Sequence, residues 1–384
     1  MANVFFVPQY IVTGENALAA GGEYMKDFGS RALIVTDDMM VQLGNVGKLT
    51  DVLDKNGISY VIYSKVNSEP THGMVDDGVK IYKEEKCEFL IGLGGGSPMD
   101  TAKAIGTVVA NGGSIKDYMG RKIEKDMPPV VAIPTTAGTG SEATKVSIIT
   151  DTDSGVKMNL NDLKLLAKLA IIDPIFTLTA PPSVTAATGV DALCHAIEAY
   201  TSKKAFAMSD IFAKEAVKKI FANLYEVYSN GANIEARREM AIAALEGGIA
   251  FSNASVTIVH GMSRPIGALF HVAHGLSNAM LLKVCLPYIR KGATNRLCQL
   301  AKEIGVFRQG MTTDEGADAF LVATYALLRT LNIPSPAEHG IDKKEFFEKI
   351  PKMTKDAIAS GSPGNCRNEP TPEEIEELYK KLWM

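Results

Sequence analysis

The first 180 residues alternate short apolar runs with stretches of helical periodicity. Apolar and β-branched runs predict buried strands at 32–35, 59–63, 89–93 and 130–133. Between them, residues 39–55 and 73–85 carry apolar residues at helical spacing. This alternation predicts an α/β domain in which helices cover both faces of a parallel sheet. The uninterrupted apolar strands fit full burial in such a sheet.

From about residue 183 onward the chain carries almost no strand signal. Amphipathic patterns instead predict helices at 206–228, 234–253, 312–331 and 372–383. At the boundary, Pro181 and Pro182 predict a turn, and Ser183 is expected to cap the helix that follows. Residues 361–370 predict a surface loop. We therefore expect an α/β domain over residues 1–180 and an all-α domain over residues 181–384.

Composition narrows the range of partners. A chain of 384 residues is long enough for two cores, and 46% hydrophobic with 22% charged residues is ordinary for a globular protein. The formal net charge of −4 argues against nucleic acid as a partner. We expect neither a membrane span nor a signal peptide, because no apolar run is long enough and the N-terminus lacks a basic start. Five scattered cysteines fit reduced thiols in the cytoplasm.

A glycine-rich segment, Gly94–Ser97, follows one predicted strand and opens a helix. Glycines let the backbone approach a pyrophosphate, and the helix N-terminus favours its charge, although a tight turn explains the same sequence. The segment 133–142, with Thr135, Thr136 and Thr139, follows another strand. An open α/β sheet binds its ligand where two such loops meet at the carboxyl ends of strands. Asp37 ends a third strand and either binds an adenosine ribose, which favours NAD over NADP, or caps the next helix.

Histidines are concentrated in the second half. Asp191 and His195 share a helix face by their spacing of four, and His260 and His274 follow in a glycine-rich stretch. A carboxylate and three imidazoles suit iron(II) or zinc, whereas an isolated Asp-x-x-x-His pair is more often only a helix-face contact. The segment Pro265-Ile266-Gly267 is expected to end the helix after His260 and let the chain fold back. His271 competes with His274 as a ligand, or carries protons beside the site.

Four ordered motifs connect these signals: GGGSPMDTAKA, PTTAGTGSE, TAATGVDALCHAIEAY and HGMSRPIGALFHVAHGLSNAM. Together they resemble the iron-containing (group III) alcohol dehydrogenases, which include lactaldehyde reductases and 1,3-propanediol dehydrogenases. The resemblance spans the whole chain. It implies an N-terminal α/β dinucleotide-binding domain, an all-α metal-binding domain and a homo-oligomer. It also implies NAD-dependent hydride transfer between short alcohols or diols and aldehydes, with iron, or zinc as the alternative, as the Lewis acid.

The resemblance also assigns residues one by one. Metal ligands fall on Asp191, His195, His260 and His274, and His271 stays a candidate for proton transfer. Nucleotide contacts fall on Asp37, Gly94, Gly95, Gly96, Ser97, Asp100, Thr135, Thr136, Thr139 and Lys157. Substrate-facing positions fall on Phe251 and Val146, with ordinary helix core the alternative for Phe251.

One position departs from the family pattern. Arg264 stands where many members carry a second histidine, four residues after the first of the late pair. The proton path of such members therefore does not transfer directly, and an arginine there favours a substrate with an additional polar or anionic group. Two other functions remain open: a zinc enzyme similar to glycerol dehydrogenase, and a non-catalytic NAD-binding sensor or assembly subunit.

Overall fold

A computed structural model describes residues 2–384, which divide into two compact units. One unit spans Phe6–Ala180, and the other spans Pro181–Met384 together with the N-terminal residues up to Phe5. The first contains every strand assigned in the described residues, and the second contains helices. The α/β-then-helical architecture predicted from the sequence is therefore confirmed.

The α/β unit is built on a six-stranded parallel sheet with the order β1-β8-β5-β4-β2-β3. A separate antiparallel hairpin pairs β6 with β7. The strands are β1 Tyr10–Thr13, β2 Arg31–Val35, β3 Ser59–Tyr63, β4 Phe89–Gly94, β5 Val130–Pro134, β6 Val146–Asp151, β7 Val156–Asn161 and β8 Leu169–Ile172. The helices of this unit are α1 Ala17–Met25, α2 Asp38–Gln42, α3 Asn45–Lys55, α4 His72–Glu84 and α5 Gly96–Asn111.

The central strands of the sheet are apolar because both of its faces are covered. Every residue of β4 and β5 is buried, and apolar clusters lie on both faces of the sheet, which is the pattern that continuous apolar strands predict. The chain adds β3 on one side of β2 and then crosses back to place β4 on the other side. The topological switch point therefore lies between β2 and β4, and an open parallel sheet of this kind binds ligands there, at the carboxyl ends of its strands.

The helical unit consists of longer elements. They are α6 Pro182–Thr201, α7 Ala207–Ser229, α8 Ile234–Ala254, α9 Ile258–Phe270, α10 His274–Glu303, α11 Thr313–Thr330, α12 Lys343–Ala359 and α13 Pro372–Lys381, with a kink in α10 at Ala293. Helix α6 lies at the centre of this unit, and from Gly189 to Thr201 every residue is buried. Among residues 2–384 no single helix is long and apolar enough to cross a bilayer, and only the pair α8 and α9, bent by 103°, passes that test together.

Four local predictions were wrong. The helix expected over 39–55 is two helices, because Gly44 adopts φ 74° between α2 and α3. Helix α6 begins at Pro182, so Ser183 lies inside the first turn instead of capping it. Pro265 does not end α9, which continues to Phe270 while burying apolar residues on both sides of the proline. Residues 361–370 are not simply a surface loop, since their part from Ser362 to Cys366 packs against α9 and is largely buried.

Candidate metal centre and dinucleotide loops

Three helices of the helical unit bring one carboxylate and three imidazoles together. Asp191 and His195 lie one turn apart on α6, His260 lies in the first turn of α9, and His274 is the first residue of α10. One potential ligand atom from each residue lies within 4.8 Å of the other three. The structure thus brings the helix-face pair Asp191 and His195 together with the two later histidines at one site.

A glycine permits this approach of helices. A Cβ atom at Gly275 would lie 2.9 Å from the carbonyl oxygen of Ala187 and 3.4 Å from Cβ of Asp191. The first contact is with backbone, which cannot rotate away as a side chain would. Only glycine therefore lets the start of α10, with His274, lie directly against α6.

The geometry fits a divalent cation. Oδ1 of Asp191 lies 3.4 Å from Nε2 of His260, 3.9 Å from Nε2 of His274 and 4.0 Å from Nε2 of His195. Ligand atoms about 2.1 Å from a tetrahedral metal lie roughly 3.4 Å from one another. Asp191, His195 and His260 are almost fully buried, while 41% of the His274 side chain is exposed. The cluster is therefore closed on three sides and open at His274.

The electrostatics of the cluster favour a cation. Burial alone would raise the pKa of Asp191, but the three imidazoles hold it well below its ordinary value. Burial would also lower the pKa of His260, yet Glu198 and Asp191 raise it to about 9. The buried carboxylates therefore stabilise positive charge at this point, which a metal ion supplies without protonating the rings.

Glu198 supports the cluster from behind. Its Oε2 accepts a hydrogen bond from Nδ1 of His260, and the glutamate side chain is fully buried. Its Oε1 accepts from the Thr257 amide at 3.1 Å, the Thr257 hydroxyl at 2.8 Å and the Val259 amide at 2.7 Å. The carboxylate thus fixes the His260 ring with its Nε2 towards Asp191. Buried carboxylates orient metal-binding imidazoles in this way in many proteins.

Asn278 also lies in the cluster. Its Nδ2 is 2.7 Å from Oδ1 of Asp191 and 3.2 Å from Nε2 of both His260 and His274. Its Oδ1 is buried and has no hydrogen-bond partner among residues 2–384. The amide of Asn278 therefore lies against ligand atoms of Asp191, His260 and His274, and its amide group belongs to the immediate surroundings of a cation at this site.

Of the other residues predicted for this site, Phe251 contacts the cluster and His271 lies outside it. The ring of Phe251 stacks on His195 with centroids 4.1 Å apart, so this aromatic touches the cluster directly. His271 is exposed, caps α9 in a left-handed conformation with φ 55° and is not among the four clustered residues. The structure therefore brings His274 and not His271 into the ligand group. A second possible group, His72 with Asp151 and Asp153, lies in the α/β unit, where Lys116 Nζ already pairs with Asp153 at 2.7 Å.

In the α/β unit the two predicted nucleotide loops lie side by side. Gly94 ends β4 with φ 151°, a conformation that favours glycine, and α5 begins at Gly96. The amide of Thr135 donates to the carbonyl of Gly94 at 2.9 Å. A Cβ at Gly96 would lie 3.3 Å from the methyl of Thr139, and one at Gly95 would lie 3.9 Å from the hydroxyl of Thr136. Backbone and threonine hydroxyls therefore surround the N-terminus of α5, where a phosphate is stabilised.

Asp37 follows β2 by two residues, at the carboxyl end of the strand and across the switch point from β4. Its carboxylate accepts from the amide of Met40 at 2.8 Å and so caps α2. The capping alternative is thus realised, and a second carboxylate oxygen stays available for a ribose. The hydroxyl of Thr36 donates to the carbonyl of Leu93 at 2.8 Å, which ties the ends of β2 and β4 together.

A buried lysine anchors the second loop to α5. Nζ of Lys103 lies within 3.3 Å of backbone and hydroxyl oxygens of Ser141 and Thr144 and of the carbonyl of Val146. Asp100 accepts from the Ser141 hydroxyl at 2.6 Å and from the Ile148 amide at 2.9 Å. Burial lowers the pKa of Lys103 to about 8, against the attraction of Asp100. Asp100 therefore acts here as a tether of the loop. Lys157, the remaining predicted contact, pairs with Glu69 at 2.6 Å.

Comparison with known proteins identifies the family. The profile of the iron-containing alcohol dehydrogenases matches residues 8–174, and the profile of the C-terminal part of the same family matches residues 185–383. The chain belongs to the iron-containing alcohol dehydrogenase family. The resemblance recognised from the four motifs is confirmed.

Relatives within this family share the whole chain. The NAD-dependent methanol dehydrogenase of Bacillus methanolicus is 38% identical over 93% of this chain and 94% of its own length. The crystal structure of a 1,3-propanediol oxidoreductase matches with a TM-score of 0.96 and 32% identity, covering 100% of both chains. Sulfoacetaldehyde reductase from Bifidobacterium kashiwanohense, solved in complex with NAD+, matches with a TM-score of 0.89 and 27% identity, covering 100% of this chain and 99% of the other.

Sequence reasoning missed three of the residues that support these sites. Glu198 follows His195 by three residues, and this spacing, which puts both on one helix face, is the signal that could have found it. Asn278 has the same signal, because it follows His274 by four residues. Lys103 carried no signal, since nothing in the local pattern predicts that a lysine is buried.

Proposed function

We propose that this protein is an NAD(H)-dependent, iron-using alcohol dehydrogenase that interconverts short primary alcohols or diols with the corresponding aldehydes. The observation that carries the proposal is the buried cluster of Asp191, His195, His260 and His274 on three helices. The family supports the same reaction class. Relatives named for methanol, 1,3-propanediol and sulfoacetaldehyde act on different substrates, so membership alone does not select one.

The cofactor, the metal and the residues of the chain have separate roles in this reaction. NADH, when bound, would supply the hydride that reduces the aldehyde carbon, and a proton from solvent would complete the alcohol and leave NAD+. A bound divalent metal supplies Lewis-acid polarisation of the carbonyl oxygen. The four cluster residues would hold that metal, and Glu198 orients His260 through Nδ1.

The remaining roles are assigned to residues outside the metal cluster. The amides of Gly94 to Ser97 and the hydroxyls of Thr135, Thr136 and Thr139 bind the pyrophosphate side of NAD, and Asp37 accepts from the adenosine ribose. Lys157 is assigned to the nicotinamide side of the cofactor by its match to the family motif. Phe251 and Val146 line the substrate, and His271 passes protons to solvent. Asp100 keeps the second loop in place for this binding.

The activity test uses chelator-stripped protein re-supplied anaerobically with iron(II) or zinc. NADH oxidation is followed over a panel of short aldehydes, with His260→Ala as the variant that removes a ligand. We expect metal-dependent turnover in the wild type and none in the variant. Tight NADH binding without turnover under any metal would contradict the proposal and favour a non-catalytic NAD-binding sensor. Turnover with zinc alone would favour the zinc enzyme similar to glycerol dehydrogenase.

We further propose that the enzyme is cytoplasmic and works as a homo-oligomer without a nucleic-acid or membrane partner. The buried, unpaired thiols of all five cysteines support a reducing compartment. The net charge of −4 supports the absence of a nucleic-acid partner. Light scattering after size exclusion tests the oligomer, and a mass of 41.2 kDa would contradict it.

A further inference from the structure

Helix α9 extends from the buried metal cluster towards solvent along one partly open face. Gly261 on another face packs against Pro363, and Met262 contacts Cys285 and Tyr379. The open face begins at buried His260, continues one turn later at the partly exposed Arg264 and ends at the exposed His271. Arg264 thus lies at the edge of the cluster, about 6 Å along the helix axis from His260.

The guanidinium of Arg264 has no partner within the described residues. None of its nitrogen atoms makes a hydrogen bond or ion pair with any residue from 2 to 384, whereas Arg237, on α8 of the same unit, bonds the Gly231 carbonyl and the Thr185 hydroxyl. Burial lowers the pKa of Arg264, and the negative charge of Glu198 offsets this only in part. An arginine that loses hydration without gaining a partner costs free energy. Five donors therefore remain available to a ligand.

The balance of charges at the site indicates that this ligand is negatively charged. Asp191 and Glu198 are the two carboxylates of the cluster, and together they balance one divalent cation when the imidazoles are neutral. The guanidinium of Arg264 then remains as uncompensated positive charge at the edge of a buried site. A bound anion neutralises it, and guanidinium recognises carboxylates and related oxyanions through two parallel hydrogen bonds.

We propose that Arg264 binds an anionic group on the substrate and makes short aldehydes with a second, acidic end the preferred substrates. This inference rests on the proposed function, because it places the reacting carbonyl at the metal cluster. The helical rise of about 6 Å from His260 to Arg264 matches the length of an aldehyde whose acidic group lies a few carbon atoms from the carbonyl. Carboxylate, sulfonate and phosphonate ends share the required chemistry.

The kinetic test compares two four-carbon aldehydes that differ only in the far end, succinate semialdehyde and butanal. Both accept hydride from NADH and a proton from solvent. We expect wild-type kcat/KM to favour succinate semialdehyde by tenfold or more. In Arg264→Gln the ratio of the two kcat/KM values should fall by about tenfold to a hundredfold, the usual worth of a charged hydrogen bond. Arg264→Lys keeps the positive charge but loses the planar guanidinium that makes two parallel hydrogen bonds. Its kcat/KM ratio should lie between those of the wild type and Arg264→Gln.

A control variant and a separate binding experiment distinguish failure of this inference from failure of the proposed function. Arg308→Gln removes an exposed arginine elsewhere in the helical unit and should leave the ratio unchanged. Calorimetry on the zinc-reconstituted protein compares butanoate with butanamide, which match in size and differ in charge. We expect butanoate to bind at least tenfold more tightly, and this advantage to disappear in Arg264→Gln. This arm needs no turnover, so failure of the proposed function with both aldehydes leaves the anion site testable.

Two results would overturn the inference. Equal effects of Arg264→Gln on both aldehydes, with equal binding of butanoate and butanamide, would make Arg264 a structural residue. A tenfold loss of NADH affinity in Arg264→Gln, without a change in the aldehyde ratio, would assign the arginine to the cofactor's phosphates instead.

Discussion

Nδ1 of His260 donates a hydrogen bond to the carboxylate of Glu198, and both groups are buried. This contact leaves Nε2 of His260 facing Asp191 at 3.4 Å. The same glutamate holds the start of α9 through the amides of Thr257 and Val259. One side chain on α6 therefore fixes both the position of α9 and the orientation of the ring that it contributes.

Glu198→Gln should weaken metal binding. An amide keeps the size of the carboxylate but loses the charge that favours the correct ring tautomer and a bound cation. Removal of such a supporting group typically costs tenfold to a hundredfold in metal affinity. Competition with a chromogenic chelator, using zinc, measures the change without an activity assay.

The matched control for this prediction is Glu348→Gln on α12, where the glutamate is exposed. It should leave zinc affinity unchanged. Zinc affinity within twofold of wild type in Glu198→Gln would contradict a supporting role for this carboxylate.

The sequence predicts the ligand cluster and the nucleotide loops because each rests on a local pattern. Asp191 and His195 are related by helical spacing, and Gly94–Ser97 lies between a strand and a helix. The helix over 39–55 was misjudged because a single glycine, Gly44, decides the break through its positive φ. Strands β1 and β8, four residues each, are too short for periodicity to reveal.

Local sequence patterns do not predict contacts between residues that are far apart along the chain. Lys103 is buried because one segment, Ser141 to Val146, which lies 38 to 43 residues further along the chain, folds around its ammonium group. Pro265 was expected to break α9, but packing on both sides of the proline outweighs one missing helical hydrogen bond. In both cases tertiary contacts decide what local propensity cannot.

Lys103→Met should destabilise the α/β unit and weaken NADH binding. The variant leaves carbonyl oxygens of Ser141, Thr144 and Val146 without their donor in a dry environment. Breaking a buried charged network of this kind costs about 3–5 kcal/mol in the free energy of unfolding. Urea unfolding measures this cost, and fluorescence titration measures NADH affinity.

Lys116→Met provides the comparison for Lys103→Met. Lys116 pairs with Asp153 at the surface, and such exposed pairs contribute about 1 kcal/mol or less. If Lys103→Met is as stable as Lys116→Met and binds NADH normally, Lys103 does not anchor the loop.

Glu142 should make stability depend on pH. Burial raises the pKa of its carboxyl from 4.5 to about 7, and its buried Oε2 has no hydrogen-bond partner in the described part of the chain. The folded state therefore holds a proton between pH 4.5 and 7 that the unfolded state releases. The stabilisation is fully present below pH 4.5 and is lost as the pH rises through 7.

Glu142→Gln removes this titration while keeping the shape of the neutral acid. Relative to the variant, the wild type should lose up to about 3 kcal/mol in the free energy of unfolding between pH 4.5 and 7. Urea unfolding at several pH values measures the difference. Glu124→Gln, at an exposed glutamate, should show no such slope, and parallel profiles of wild type and Glu142→Gln would refute the assignment.

His271→Asn separates proton transfer from metal binding. Asparagine tolerates the left-handed conformation at φ 55°, so α9 should keep its end. The variant should bind one metal ion as the wild type does, because His271 lies outside the ligand group. Turnover should fall most at high pH, where protons are scarce. Wild-type turnover across the whole pH range would remove His271 from the proton path.

The most direct test of the metal centre is a stoichiometric titration. Chelator-stripped protein receives iron(II) anaerobically in steps, and bound metal and the rate of aldehyde-dependent NADH oxidation are measured on the same samples. Our account predicts that both rise together and saturate at one metal ion per chain, and that His260→Ala shows neither. Full NADH oxidation by the stripped protein, or saturating metal binding by His260→Ala, would contradict it.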